Sequence, residues 1–97
     1  MYDNLMRISF DPAKRAATVE SRGLDFADAG LVFAGPVFEI EDERRDYGER
    51  RMMCFGLLGS RLVVVGYVQR GDARHVFSMR KANDREKARF GQRLGQG

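Results

Sequence analysis

Two apolar runs separated by three residues constrain this chain more than anything else in it. Residues 52–58 read MMCFGLL and residues 62–68 read LVVVGYV, with Gly59-Ser60 between them. Each run has the length of a buried strand and falls far short of the ~18 apolar residues that a membrane-spanning helix needs. Glycine in the first loop position fits the type II′ turn of a tight hairpin. A second turn follows at residues 69–73 (QRGDA), and a third strand in which Val76, Ser78 and Arg80 alternate with His75, Phe77 and Met79. The chain is therefore organised around a three-strand antiparallel meander.

The flanking segments carry their own start and stop signals. Residues 5–10 alternate, with Met6, Ile8 and Phe10 on one side, as in a half-buried strand. Asp11-Pro12 opens a helix: the carboxylate can cap free N–H groups, and proline in the first turn gives up no hydrogen bond. That helix runs to about Arg22 and ends at Gly23. Asp25 caps a second, short helix with Phe26, Ala29 and Phe33 on one face, stopped by Gly35-Pro36. Residues 37–41 alternate with an acidic outward face, as an edge strand does, and residues 42–49 form a charged loop. Asn83 and Glu86 have the spacing of a capping box for a terminal helix reaching about Leu94. The expected fold is a single α+β domain over residues 1–97, an antiparallel sheet of about four strands with helices packed on one face.

Charge is divided unevenly along the chain. Residues 1–43 hold four basic and nine acidic side chains, residues 44–97 thirteen basic and five acidic. The second half is the expected anion-binding half. With one cysteine, Cys54, and one histidine, His75, the chain offers no Cys/His zinc site of its own, and Cys54 reads as a small buried hydrophobe. No metal and no cofactor is expected. The start, MYDNLMR, lacks the apolar core of a secretion signal, so the expected location is the cytoplasm.

Four ordered motifs resemble the BrnT family of bacterial type II toxins. Phe10-Asp11-Pro12-Ala13-Lys14 is similar to the family's opening, and Gly23-Leu24-Asp25-Phe26-Ala27-Asp28-Ala29 to its second-helix entry. Tyr47-Gly48-Glu49 with Arg51 and Gly56 looks like its central signature. Residues 75–83 (HVFSMRKAN) with Glu86 resemble its strand-to-helix junction. The chain departs from the family's pattern at Thr18 and at Ser21-Arg22-Gly23, so it has no helix-one histidine. The resemblance implies a RelE-like fold and a metal-independent endoribonuclease that arrests translation. It also implies a ribbon-helix-helix antitoxin that neutralises the chain, in an arrangement such as a 2:2 heterotetramer, with DNA reached only through that antitoxin and no membrane partner.

RNA cleavage through the neighbouring 2′-hydroxyl needs a proton acceptor, cations for the pentavalent phosphate and a proton donor for the leaving oxygen. The expected catalytic set is Arg80, His75, Arg70 and Lys14, and the expected RNA-binding set is Arg51, Arg74, Ser78 and Tyr47. Each has a plainer alternative. Arg80 can pair with Glu86; His75 falls on the other strand parity from Arg80 unless a bulge intervenes; Arg70 and Arg74 beside the QRGDA turn can simply be solvated; Ser78 can bond the backbone. Lys14 is a cation where a helix start prefers anions, which points beyond capping. Tyr47 and Tyr67 offer stacking surfaces for bases, with core packing as the competing role of Tyr67. The alternative function is a catalytically weak module that binds an antitoxin and tunes its DNA binding, a reading that the Thr18 and Arg22 departures motivate.

Overall fold

The computed structural model describes residues 7–95. Strands β3 (Arg51–Leu58) and β4 (Arg61–Arg70) form the expected hairpin, and Gly59 takes the positive φ its turn requires. Strand β5 (Ala73–Lys81) pairs antiparallel with β4 to complete the meander. The edge strand β2 (Val37–Glu41) lies against β3, and a short strand β1 (Arg7–Ser9) adds to the far side of β5 in parallel. The sheet therefore has five strands in the order β1-β5-β4-β3-β2 and is mixed, not a purely antiparallel sheet of about four. The parallel partner arises because the helical segment after β1 carries the chain across the sheet before β2 begins. Met6, read as part of the first strand, lies outside the described residues, and Phe10 follows β1 rather than belonging to it.

Helices cover both faces, where one was expected. On the first face lie α1 (Pro12–Arg22), a 3-10 turn (Phe26–Asp28) and α2 (Ala29–Ala34). Asp11 caps α1 through the Ala13 N–H and Gly23 closes it in the left-handed conformation. Leu24, Phe26, Ala29 and Val32 pack there on Cys54, Val63, Val65, Tyr67, Val76 and Met79. On the second face, α3 (Asp84–Phe90) and a following 3-10 turn (Gln92–Leu94) set Phe90 and Leu94 on Phe55, Leu62 and Val64. Burying the Phe90 ring there is worth roughly 1.5–3 kcal/mol. The capping box of Asn83 and Glu86 starts α3 as its spacing indicates. Central strand β4 is buried without interruption from Leu62 to Val68, as its unbroken apolar run demands. Glu39 is the exposed residue of the edge strand, as its acidic outward face suggests, and its carboxylate also reaches Tyr67 and Arg74 on the first face.

α3 covers only the half of the second face nearest the β3–β4 turn. The other half, around Arg51, Gly66 and Ser78, is covered by no helix among the described residues, and it is there that most of the expected site residues meet.

Candidate functional site

A register shift in β5 builds this site. Gly66 pairs with Ser78, yet Tyr67 pairs with Val76, so Phe77 is the extra residue of a β-bulge. Simple alternation would separate His75 from Arg80. The bulge cancels that separation: Val76 and Met79 both enter the first-face core, while His75, Ser78 and Arg80 all project onto the second face. Gly66 makes room for it, since a Cβ there would stand 2.9 Å from the Phe77 ring and against the Ser78 hydroxyl.

Across the sheet from the bulge, Arg51 is held between two rings. Its guanidinium carbon lies 4.2 Å from the Tyr47 ring centroid and 4.6 Å from that of Phe77. Its Nε is buried without a hydrogen-bond partner, and among the described residues no carboxylate lies within ion-pair distance. Lys14, from the first turn of α1, approaches the same Phe77 ring at 5.8 Å and is likewise without an acidic partner among the described residues. Two uncompensated cations thus share one aromatic ring, each gaining from its face about 0.5–2 kcal/mol.

Supporting contacts fix the pieces. Asp42, buried, accepts from Arg44 Nε and Nη2, each at 2.8 Å, and from the Tyr47 hydroxyl at 3.1 Å, which orients the outer ring of the stack. The Arg44 hydrogen bonds hold the Asp42 carboxyl well below the ordinary carboxylate range, against the opposing effect of burial. His75 Nδ1 and Ser9 Oγ share a 2.9 Å hydrogen bond across the β1–β5 pairing, which sets the imidazole orientation. Arg80 is gripped by Glu86 through both forks at 2.8 Å, and Glu86 Oε1 also accepts the Asn83 N–H at 2.9 Å. That bidentate contact pushes the Arg80 pKa up and pulls Glu86 down.

The expected residues therefore divide. Lys14, Tyr47, Arg51, His75, Ser78 and Arg80 are gathered on one face. Arg70 sits at the exposed end of β4, 3.5 Å from Glu49. Arg74 is carried to the opposite face, stacked between Phe33 and Tyr67 at 4.6 and 4.5 Å and paired with Glu39 at 3.7 Å. Sequence reasoning passed over Ser9, Asp42 and Phe77. An isolated glycine inside the β4 pattern, Gly66, is the one local sign of a bulge opposite it. Among the described residues no group of three His, Cys, Asp or Glu side chains could hold a metal ion, and no helix is long and apolar enough to cross a membrane.

Residues 10–86 match the family model described as the ribonuclease toxin BrnT of a type II toxin-antitoxin system. The chain belongs to the BrnT family. The matched span contains every residue of the gathered face except Ser9, and it includes the Phe77 bulge and the Glu86 that grips Arg80. No curated protein matches the chain. Membership makes it a ribonuclease toxin whose system includes a protein antitoxin. Arg22, at one of the departures from the family pattern, donates to the Met79 carbonyl at 3.0 Å and so ties the end of α1 to β5.

Proposed function

We propose that the half of the second face around Arg51 is the active centre of a metal-independent endoribonuclease, and that its action on cytoplasmic RNA arrests translation. The observation that carries this reading is Arg51, a guanidinium fixed between two rings with its charge uncompensated among the described residues. Rings on both sides leave only the edge of the fork for a ligand, and that edge suits two phosphate oxygens.

In the proposed reaction Arg51 and Lys14 stabilise the charge that grows on the pentavalent phosphate. His75, oriented by Ser9, moves the proton between the 2′-hydroxyl and the leaving oxygen through its other ring nitrogen. Ser78 lies beneath the same phosphate, and Tyr47 presents its outer ring face to a base. Arg80 has both forks on Glu86, so it shapes the wall of the site and reaches phosphate only when Glu86 lets go. Arg70 is a peripheral RNA contact, and Arg74 supports the sheet from the other side. The partner in this reading is a ribbon-helix-helix antitoxin in a 2:2 heterotetramer, with DNA held only by the antitoxin.

The test is scission of a labelled mixed-sequence RNA by the antitoxin-free chain in EDTA, beside Arg51→Ala folded to the same circular dichroism. Cleavage by the wild type and a loss of about 100- to 1000-fold in the variant are expected, the usual cost of removing one preorganised charge donor. Equal cleavage by both would remove Arg51 from the site. RNA left intact even with ribosomes present would favour the antitoxin-binding module instead.

A further inference from the structure

Ion pairing consumes the basic side chains unevenly over the surface. Among the described residues Arg7, Arg15, Arg44, Arg50, Arg70, Arg74 and Arg80 are tied to carboxylates. Of the rest, Lys14, Arg22, Arg45 and Arg51 are spread over other elements, whereas Arg61, Lys81, Arg85, Lys87, Arg89 and Arg93, exposed and among the described residues without such a partner, are grouped. All six lie on or beside α3 and its following turn, since the Leu62 carbonyl next to Arg61 accepts the Ala82 N–H and Lys81 pairs with Val63.

Three of them follow one another along this segment. Arg85 and Arg89 are four residues apart on one side of α3, about 6 Å along its axis, and Arg93 stands in the 3-10 turn that follows. Arg89 lies 4.9 Å from the Phe90 ring centroid and Arg93 5.9 Å from that of Phe38, and those two rings pack on each other at 4.7 Å. The guanidiniums are thus seated on an aromatic base rather than waving in solvent. α3 packs on the same sheet face that carries the Arg51 site, and Arg80, gripped by Glu86 of α3, stands at the seam between the two.

We propose that the Arg85–Arg89–Arg93 series is a second, non-catalytic surface that binds the phosphate backbone of RNA to one side of the scissile bond. The inference rests on the ribonuclease reading above. Successive forked cations free of carboxylates suit a repeating polyanion, and their continuity with the Arg51 face puts them on the path of a strand already held there. The competing occupant, an acidic segment of a protein partner, has no need of that continuity.

The experiment compares the full chain with Arg85→Gln/Arg89→Gln/Arg93→Gln on two substrates, a dinucleotide and a labelled single strand long enough to cross α3. At about 0.7 per phosphate contact, the slope of log Kd against log salt for the long strand should fall by about 2. Its kcat/KM should fall with it, and dinucleotide cleavage should stay unchanged. Because Arg89 and Arg93 rest on rings that help hold α3, Arg85→Gln alone serves as the second variant and should lower the slope by about 0.7. Unchanged slopes in both variants, with wild type still binding and cutting RNA, would overturn the proposal and spare the ribonuclease reading. An unchanged slope together with lost antitoxin affinity would overturn it in favour of a protein-docking face. Wild type that neither binds nor cuts RNA would overturn both.

Discussion

Arg51 and Arg74 stand back to back at one end of the sheet, each stacked between two rings and each with a buried, unpartnered Nε. They differ in what answers their charge. Arg74 faces Glu39, which also accepts a hydrogen bond from the Tyr67 hydroxyl, and α2 closes the cluster with Phe33. Burial first, and then that hydrogen bond, push the Tyr67 pKa up; burial pushes the neighbouring Cys54 thiol up to about 12. Phenol and thiol both stay protonated at neutral pH, and the cluster has no charge to offer a ligand. Arg51 has the same aromatic clamp and no carboxylate among the described residues. Stacking fixes where an arginine is; the counter-ion decides whether it is free to bind something else.

The largest effects should separate the two arginines by kind. Arg51→Ala is expected to remove most RNA cleavage while losing only the ring contacts, about 0.5–2 kcal/mol, in urea stability. Arg74→Ala should do the reverse: it empties the slot between Phe33 and Tyr67 and takes the cation from Glu39, at a cost of about 1–3 kcal/mol. Its residual activity should track the folded fraction. A Arg74→Ala protein that is stable and inactive would put both faces in the reaction. Next in size is Gly66→Ala, whose methyl would meet the Phe77 ring and the Ser78 hydroxyl. Overpacking of this type costs about 1–3 kcal/mol. Activity should drop further than stability, because the ring displaced is the one shared by Arg51 and Lys14; equal losses would mean that the bulge serves the fold alone.

The same pair shows how far the sequence could be read. The β3–β4 hairpin, the Asp11 and Gly23 ends of α1 and the Asn83–Glu86 box are set by residues within a few positions of each other, so local rules found them. The gathering of Lys14, Tyr47, Arg51, His75, Ser78 and Arg80 depends on a one-residue slip between β4 and β5, and register is a property of two strands at once. Counting parity along β5 alone put His75 and Arg80 on different faces. It also gave no means of knowing that Arg74 would meet Glu39, since β2 and β5 are brought within reach only by the full five-strand order. The parallel β1, and with it the Ser9 contact to His75, was hidden for the same reason.

A smaller effect should come from replacing the Arg74 cluster as a unit. Arg74→Met with Glu39→Leu removes both charges and keeps volume, and buried ion pairs exchanged in this way are often neutral or better. The Tyr67 hydroxyl loses its acceptor, so Tyr67→Phe belongs in the same variant. The triple variant should unfold within about 1.5 kcal/mol of wild type, the range of volume-conserving core exchanges, and cleave RNA at the wild-type rate. A large loss of cleavage with stability intact would show that Arg74 acts on the Arg51 face through the sheet.

The smallest expected effect is in acid, and it bears on Arg51 through Tyr47. The Arg44 hydrogen bonds hold Asp42 well below the ordinary carboxylate pKa of about 3.9, so the unfolded chain takes up the proton first as pH falls. Stability from this carboxylate is fully present above about pH 4 and is lost progressively below it. Asp25 behaves the same way on the other face, where Arg15 draws its pKa down to about 2. The two contributions separate by substitution. Asp42→Asn should flatten part of the acid limb of an unfolding profile by lowering stability near neutral pH while leaving the strongly acid end unchanged, and should shift the Tyr47 ring resonances, because the hydroxyl no longer has an anion to hold it over Arg51. Asp25→Asn should flatten the limb as well and leave Tyr47 where it was. If Tyr47 moves in neither variant, the ring is held by Arg51 itself, and the order of cause at the site runs from cation to ring instead of from Asp42 inward.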